Sequence, residues 1–150
     1  MFFLAFYATF VLFRTLFDRN LSENPLSNVL GEWSFYEEKD GNMIFNANVP
    51  ENLFMLVPFI FLLFFAFKEK ILKNNASFLT ILWKSSVISF LLSLSIETLQ
   101  LFLHLGTWQL SDLVYNTVGG VLGGVLYYVA YRIVRKHKNK KKGVSQEDEI

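Results

Sequence analysis

The sequence predicts an all-α, polytopic membrane protein: a bundle of four transmembrane helices with both chain ends on the cytoplasmic side. Three observations predict it. Of 150 residues, 53% are hydrophobic and 17% aromatic, more than a soluble domain of that length can cover. The hydrophobic residues collect in four runs near the roughly 20 residues that a helix needs to cross about 30 Å of hydrocarbon. The basic residues, hidden in a formal net charge of only +1, gather in alternate connections between those runs.

The first run, Phe2 to Phe13, is followed by Arg14 and reaches spanning length only if Thr15 to Phe17 join it while Arg14 snorkels outward. No basic stretch precedes it and no small-residue cleavage site follows, so it reads as a retained helix and not a signal peptide. The second run, Leu53 to Phe67, is preceded by Asn48-Val49-Pro50-Glu51. Those residues offer a side-chain cap, an early-turn proline and an acid three residues after the cap. The third run extends from Ser85 to Leu103, with Trp83 and Lys84 suited to one interface and His104 to the other. The fourth covers Leu113 to Val134, where Arg132 and Arg135 begin a basic tail.

Counting Lys and Arg in the connections orients the bundle. Between the first and second runs only Arg19 and Lys39 are basic, against Asp18, Glu23, Glu32, Glu37, Glu38, Asp40 and Glu51, so the connection over 18–48 belongs outside. Lys68, Lys70 and Lys73 place the second connection in the cytoplasm, and Lys136 to Lys142 do the same for the tail. The third connection, His104 to Ser111, has no Lys or Arg. Four alternating spans satisfy every connection at once. The domain therefore runs 1–135, with a tail over 136–150 that is basic, then acidic, and expected to be disordered. Within the external connection the Lys39-Asp40-Gly41-Asn42 turn signal admits a small hairpin of 33–38 against 43–46; the preferred reading is an interfacial loop anchored by Trp33, Phe35 and Tyr36.

The chain has no cysteine, which excludes disulfides, thiolate nucleophiles and Cys-based zinc sites. It contains no phosphate-binding glycine loop, no Gly-x-Ser-x-Gly and no His-Glu-x-x-His. No cofactor, metal or nucleic-acid partner is expected. Membrane lipids are the expected surroundings, and the basic tail is suited to anionic head groups or, more simply, to fixing topology.

Polar residues inside the spans carry the functional signal. Glu97, Gln100 and His104 are spaced three and four apart, on one face of the third helix. With His104 at the interface, Glu97 sits about 10 Å and Gln100 about 6 Å inside the outer boundary. Asp112 at the rim of the fourth helix, Asn116 one turn deeper, Asn52 near the start of the second helix and Arg14 from the first reach the same layer. A carboxylate there costs a few kcal/mol, so Glu97 should face the bundle and pair or take up a proton, with Arg14 its natural partner. Interhelical polar contacts of this kind can also simply join helices, at about 0.6–2 kcal/mol each. For the whole cluster, Arg14, Asn52, Glu97, Gln100, Asp112 and Asn116, a ligand-binding pocket is the favoured reading. Beyond Asn116, Gly119, Gly120, Gly123 and Gly124 form two overlapping Gly-x-x-x-Gly spacings that admit a close neighbouring helix, within the chain or, less favoured, across a homo-oligomer seam.

The string Ser93-Leu94-Ser95-Ile96-Glu97-Thr98-Leu99-Gln100-Leu101-Phe102-Leu103, with Leu110-Ser111-Asp112-Leu113-Val114-Tyr115-Asn116-Thr117-Val118-Gly119-Gly120 after it and Asn52-Leu53-Phe54-Met55-Leu56-Val57-Pro58-Phe59 before it, resembles the VanZ-like family. The resemblance covers roughly Asn52 to Val134. It implies a small bacterial multi-pass membrane protein, with a founding member associated with resistance to the glycopeptide teicoplanin, and no settled biochemical activity. The family's Glu, Gln, Asp, Asn and Gly positions fall on Glu97, Gln100, Asp112, Asn116 and Gly119, and its Asn and Pro on Asn52 and Pro58. Many members carry an Arg and an additional acid in the third connection, where this chain reads Leu105-Gly106-Thr107-Trp108-Gln109. An anionic ligand here must meet Arg14 or another group, or the ligand differs.

The leading expectation is thus a non-enzymatic or accessory envelope protein whose outer-leaflet pocket binds a lipid-like or glycopeptide molecule, such as a lipid-linked envelope precursor or a lipoglycopeptide, and changes susceptibility to glycopeptides of the teicoplanin type. The alternatives are an intramembrane enzyme acting on a lipid-linked cell-wall intermediate, with Glu97 or Asp112 as general acid or base, and a structural partner in a membrane complex.

Overall fold

The computed structural model describes residues 1–17, 20–72 and 76–147, with side chains through 137. Asp18, Arg19 and Lys73, which enter the charge count, lie outside the described residues. The described chain is mainly helical: α1 (Phe2–Leu12) running into a π-helical turn (Phe13–Phe17), a hairpin of β1 (Tyr36–Lys39) and β2 (Asn42–Phe45), then α2 (Asn48–Ile71), α3 (Phe78–Leu103) and α4 (Leu110–Glu147). Three helices are long and apolar enough to cross a membrane, Asn48–Ile71, Phe78–Leu103 and Leu110–His137. The first helix with its π turn is shorter, at most about 24 Å against the roughly 30 Å of a hydrocarbon core.

Local chemistry explains where each element begins and ends. The cap expected from Asn48 is instead one step removed: α2 starts at Asn48 behind Ala47, which makes no side-chain cap, and Asn46 Oδ1 accepts from the Asn48 backbone N–H at 3.0 Å. Helix α3 begins seven residues before the expected Ser85, because the Ser77 hydroxyl accepts from the Thr80 N–H at 3.2 Å and caps the first turn. Lys84, expected at an interface, donates to the Ile71 carbonyl at the end of α2, where a helix leaves carbonyls unpaired. His104 closes α3 in the left-handed conformation, φ 57°, with its N–H turned back to Gln100 and Leu101.

Helix α4 continues through Glu147. One further expectation is corrected. The connection between α1 and α2 holds a hairpin, not only an aromatic-anchored loop. Lys39 pairs with Asn42, and Asp40 and Gly41 both take positive φ, 52° and 77°, the backbone that a two-residue hairpin turn requires. Glu37, 2.7 Å from Lys39, bonds the lysine ammonium and raises its pKa above the usual value.

The bundle is organised around α4, on which both α2 and α3 pack while touching each other little; α1 lies against α2, and its π turn reaches α3. The glycines of α4 divide between two seams. A Cβ on Gly119 or Gly123 would run into the Leu53 or Val57 carbonyl of α2. One on Gly120 or Gly124 would meet Ser89 or Ser85 of α3. The small residues bring both neighbours to backbone range, the packing that membrane helices use where no hydrophobic force separates helix from lipid. The matching residues rise together in α2 and α4 and oppositely in α3 and α4, so α2 and α4 run parallel and α3 antiparallel to both. Leu56, Ile60, Phe64 and Ile81 are buried between the helices. Phe65, Leu79, Trp83 and Phe102, at 74%, 74%, 72% and 76% exposed, face outward. A bundle apolar inside and out belongs in lipid.

Candidate functional site

Polar side chains concentrate at the end of the bundle where α2 and α4 begin and α3 finishes. The connection between α1 and α2 covers this end. Its backbone lies along the third connection, with Ser22 N–H donating to His104 O at 2.8 Å, Gly106 N–H to Asn20 O at 2.9 Å, Trp108 N–H to Pro25 O at 2.8 Å and Leu110 N–H to Val29 O at 2.9 Å. Trp33 packs on Tyr115 at 5.9 Å between ring centroids, and the Tyr115 hydroxyl donates to the Trp33 carbonyl. Gly31, at φ 75°, leaves no room for a side chain against Ser111.

Beneath this cap lies an interior polar group. Glu97, Gln100, Asp112 and Asn116 are all buried, as the cost of exposing them to lipid requires. Gln100 Nε2 donates to the Thr15 carbonyl of the π turn at 2.7 Å, tying α3 to the first helix. Glu97 accepts from the Gln109 N–H at 3.1 Å, so this carboxylate holds the third connection at the mouth of α4. Asn116 Nδ2 donates to Ser93 Oγ at 3.1 Å across the α3–α4 seam; its Oδ1 and the Ser89 hydroxyl are buried with no hydrogen-bond partner among the described residues. Ser111, next to Asp112, accepts from the Glu32 N–H at 3.0 Å, and the Glu32 carboxylate takes the Asn46 and Asn48 amides. A chain of hydrogen bonds thus runs from the bundle interior to the start of α2.

The second grouping is a cleft of about 600 Å³ between α1 and α2 at the same end. Arg14 and Glu51 meet there at 2.7 Å, with side chains 40% and 53% exposed. Asn20, Asn48 and Asn52 add amides, and Tyr7, Phe10, Phe54 and Met55 form apolar walls. Phe10 and Phe54 are 48% and 59% exposed, so the wall continues onto the outer surface of the bundle. Tyr7 donates its hydroxyl to the Met55 carbonyl at 2.9 Å, holding α1 to α2 along the cleft.

The six residues expected in one pocket are therefore split. Arg14 and Asn52 line the cleft; Glu97, Gln100, Asp112 and Asn116 lie in the interior group and do not line it. Arg14 bonds Glu51, which projects from the first turn of α2 beside the guanidinium. Glu51, Asn20 and Asn48 are the cleft residues that sequence reasoning missed. Glu51 was legible only as a helix-start acid, and nothing local marks its approach to a residue 37 positions away. Among the described residues no group of three or more His, Asp or Glu is placed to hold a metal ion.

No solved structure matches this chain. The protein VanZ of Enterococcus faecium is 28% identical over 120 residues, covering 77% of this chain and 66% of that relative; the match thus spans just under two thirds of the relative's length. The family model described as VanZ/LLP1 matches residues 1–131, so the likeness extends beyond the Asn52–Val134 stretch to include α1 and the connection that caps the bundle. With buried Glu97, Gln100, Asp112 and Asn116 gathered beneath that cap, the chain belongs to the VanZ/LLP1 family.

Proposed function

We propose that this is a multi-pass protein of the bacterial cell membrane, with four spans and both ends in the cytoplasm, that lowers susceptibility to teicoplanin-type glycopeptides. It does so by holding a lipid-like or glycopeptide ligand in the α1–α2 cleft at the outer face. The observation that carries this reading is the composition of the cleft, an ion pair and three amides above walls that continue onto the lipid-facing surface. Such a site suits an amphiphile entering sideways from the outer leaflet, and its volume lies within the range of ordinary ligand pockets. Kinship with a protein named VanZ supports the antibiotic context, and the charge count supports the orientation. The first helix spans by letting Arg14 snorkel to the outer interface, where Glu51 receives it.

Teicoplanin has an acyl chain that can enter the leaflet, whereas vancomycin acts from the water side. Expression in a susceptible Gram-positive host should therefore raise tolerance to teicoplanin more than to vancomycin. Arg14→Gln and Glu51→Gln should each remove the difference at unchanged membrane abundance. A difference that survives both substitutions would show that the cleft does not carry the activity.

A further inference from the structure

We infer that the α3–α4 face carries a binding site for an anionic phospholipid, in the leaflet at the end of the bundle opposite the cap. The lipid phosphate meets Arg132, and the first part of an acyl chain lies in a shallow groove beside the seam. This site is separate from the α1–α2 cleft and independent of the susceptibility reading. The groove, about 440 Å³, is formed by Leu79, Leu82, Trp83 and Ser86 of α3 and Val121 of α4. Leu79 and Trp83 are largely exposed, so the groove opens sideways along the bundle. Phe78, one turn before Leu82, packs on Tyr128 at 4.9 Å between ring centroids, and Tyr128 follows Val121 by two turns on one stripe of α4. The groove therefore leads to this aromatic pair.

Beyond the pair stands a cation. The Arg132 guanidinium carbon is 5.9 Å from the centre of the Tyr128 ring, within cation–π range. Arg132 is exposed, and among the described residues none pairs with it as a carboxylate or takes its N–H groups as an acceptor. Those groups form a donor fork matched to phosphate. The charge around it has one sign. Among the described side chains at this end, Lys68, Lys70, Lys84, Arg135 and Lys136 face a single acid, Glu69, and the undescribed residues 73–75 add Lys73 and no acid. Such a surface favours an anionic lipid, whereas a zwitterionic head brings its own ammonium among like charges. Depth agrees with this arrangement. Gly120 faces Ser89 and Gly124 faces Ser85, which sets Trp83 level with Leu126, six residues or about 9 Å along the axis from Arg132. A lipid whose phosphate sits on Arg132 thus passes Trp83 with its upper methylenes.

Trp83 reports the occupant directly, because bromine quenches tryptophan emission on contact. The purified full-length protein is placed in phosphatidylcholine vesicles that contain a small, equal fraction of either phosphatidylglycerol or phosphatidylcholine brominated on the same acyl carbons. The emission that is present in the wild type and missing in Trp83→Phe is followed. Phosphatidylglycerol should be enriched at Trp83 about fivefold over phosphatidylcholine, corresponding to about 1 kcal/mol, and high salt should shrink the ratio. Arg132→Gln should bring the two lipids close to parity, and Arg132→Lys should keep most of the preference. Lys39→Gln, which makes the same change in net charge at the capped end, should leave the ratio as it is. Equal quenching by both lipids in the wild type, a preference that survives Arg132→Gln, or one lost to the same extent in Lys39→Gln overturns the proposal.

Discussion

Glu97 shows how a single buried carboxylate can be read and misread. Its burial followed from the sequence, because a charge about two turns inside an apolar helix cannot face lipid. Its partner did not. The Gln109 N–H from which it accepts belongs to a connection whose path depends on the capping segment between α1 and α2, and no spacing rule reports a fold-back of that kind. The geometry separates acceptor from charge. Glu97→Gln keeps an oxygen for the Gln109 N–H, whereas Glu97→Leu leaves that donor buried and unpaired. In thermal or chemical unfolding, Glu97→Leu should lose about 1–3 kcal/mol more than Glu97→Gln. Equal losses would mean that the contact with Gln109 contributes nothing. The same limit explains Arg14, whose place at the end of the first helix was legible while its contact with Glu51 was not, since the side-by-side placement of two helix ends is a tertiary fact.

Among the elements, α4 was the most legible, because its glycine spacing announces a close approach. The sequence did not say that the four glycines serve two different neighbours. Gly119 and Gly123 admit backbone carbonyls of α2, and Gly120 and Gly124 admit serines of α3; Ser85, Ser89 and Ser93 recur every fourth residue and are fully buried, a stripe that apolar-run counting passes over. The two seams should respond differently to substitution. Gly120→Ala should cost about 1–3 kcal/mol by overpacking and should be rescued by Ser89→Gly, which removes the atoms it meets. Gly119→Ala should cost as much and should resist rescue by Leu53→Ala, because the obstacle is the Leu53 carbonyl. Thermal unfolding of the single and double variants in detergent measures both, and rescue of Gly119→Ala by Leu53→Ala would place the contact on the side chain instead. The start of α3 was missed, and the hairpin was read but set second to a loop, for a related reason. Ser77–Thr80 and Asp40–Gly41 are short local signals, outweighed in a hydropathy reading by the apolar runs and interfacial aromatics beside them.

For the whole molecule, the three long apolar helices and their alternating directions followed from run length and charge, whereas the division of the polar layer into an interior group and a cleft depended on how the first helix leans on α2. The proposed function depends on one global property, that the capped end faces outward. If it faced the cytoplasm, the cleft would open to the wrong leaflet and no external glycopeptide could reach it. Single cysteines can be introduced against a background with none, at Asn42 and Thr107 on the capped end and at Ser77 and His137 on the opposite end. Exposed to a membrane-impermeant thiol reagent in intact cells, Asn42→Cys and Thr107→Cys should label, and Ser77→Cys and His137→Cys should label only after permeabilisation. Labelling of the Ser77 and His137 positions from outside, with Asn42 and Thr107 protected, would contradict the orientation and with it the outer-leaflet site.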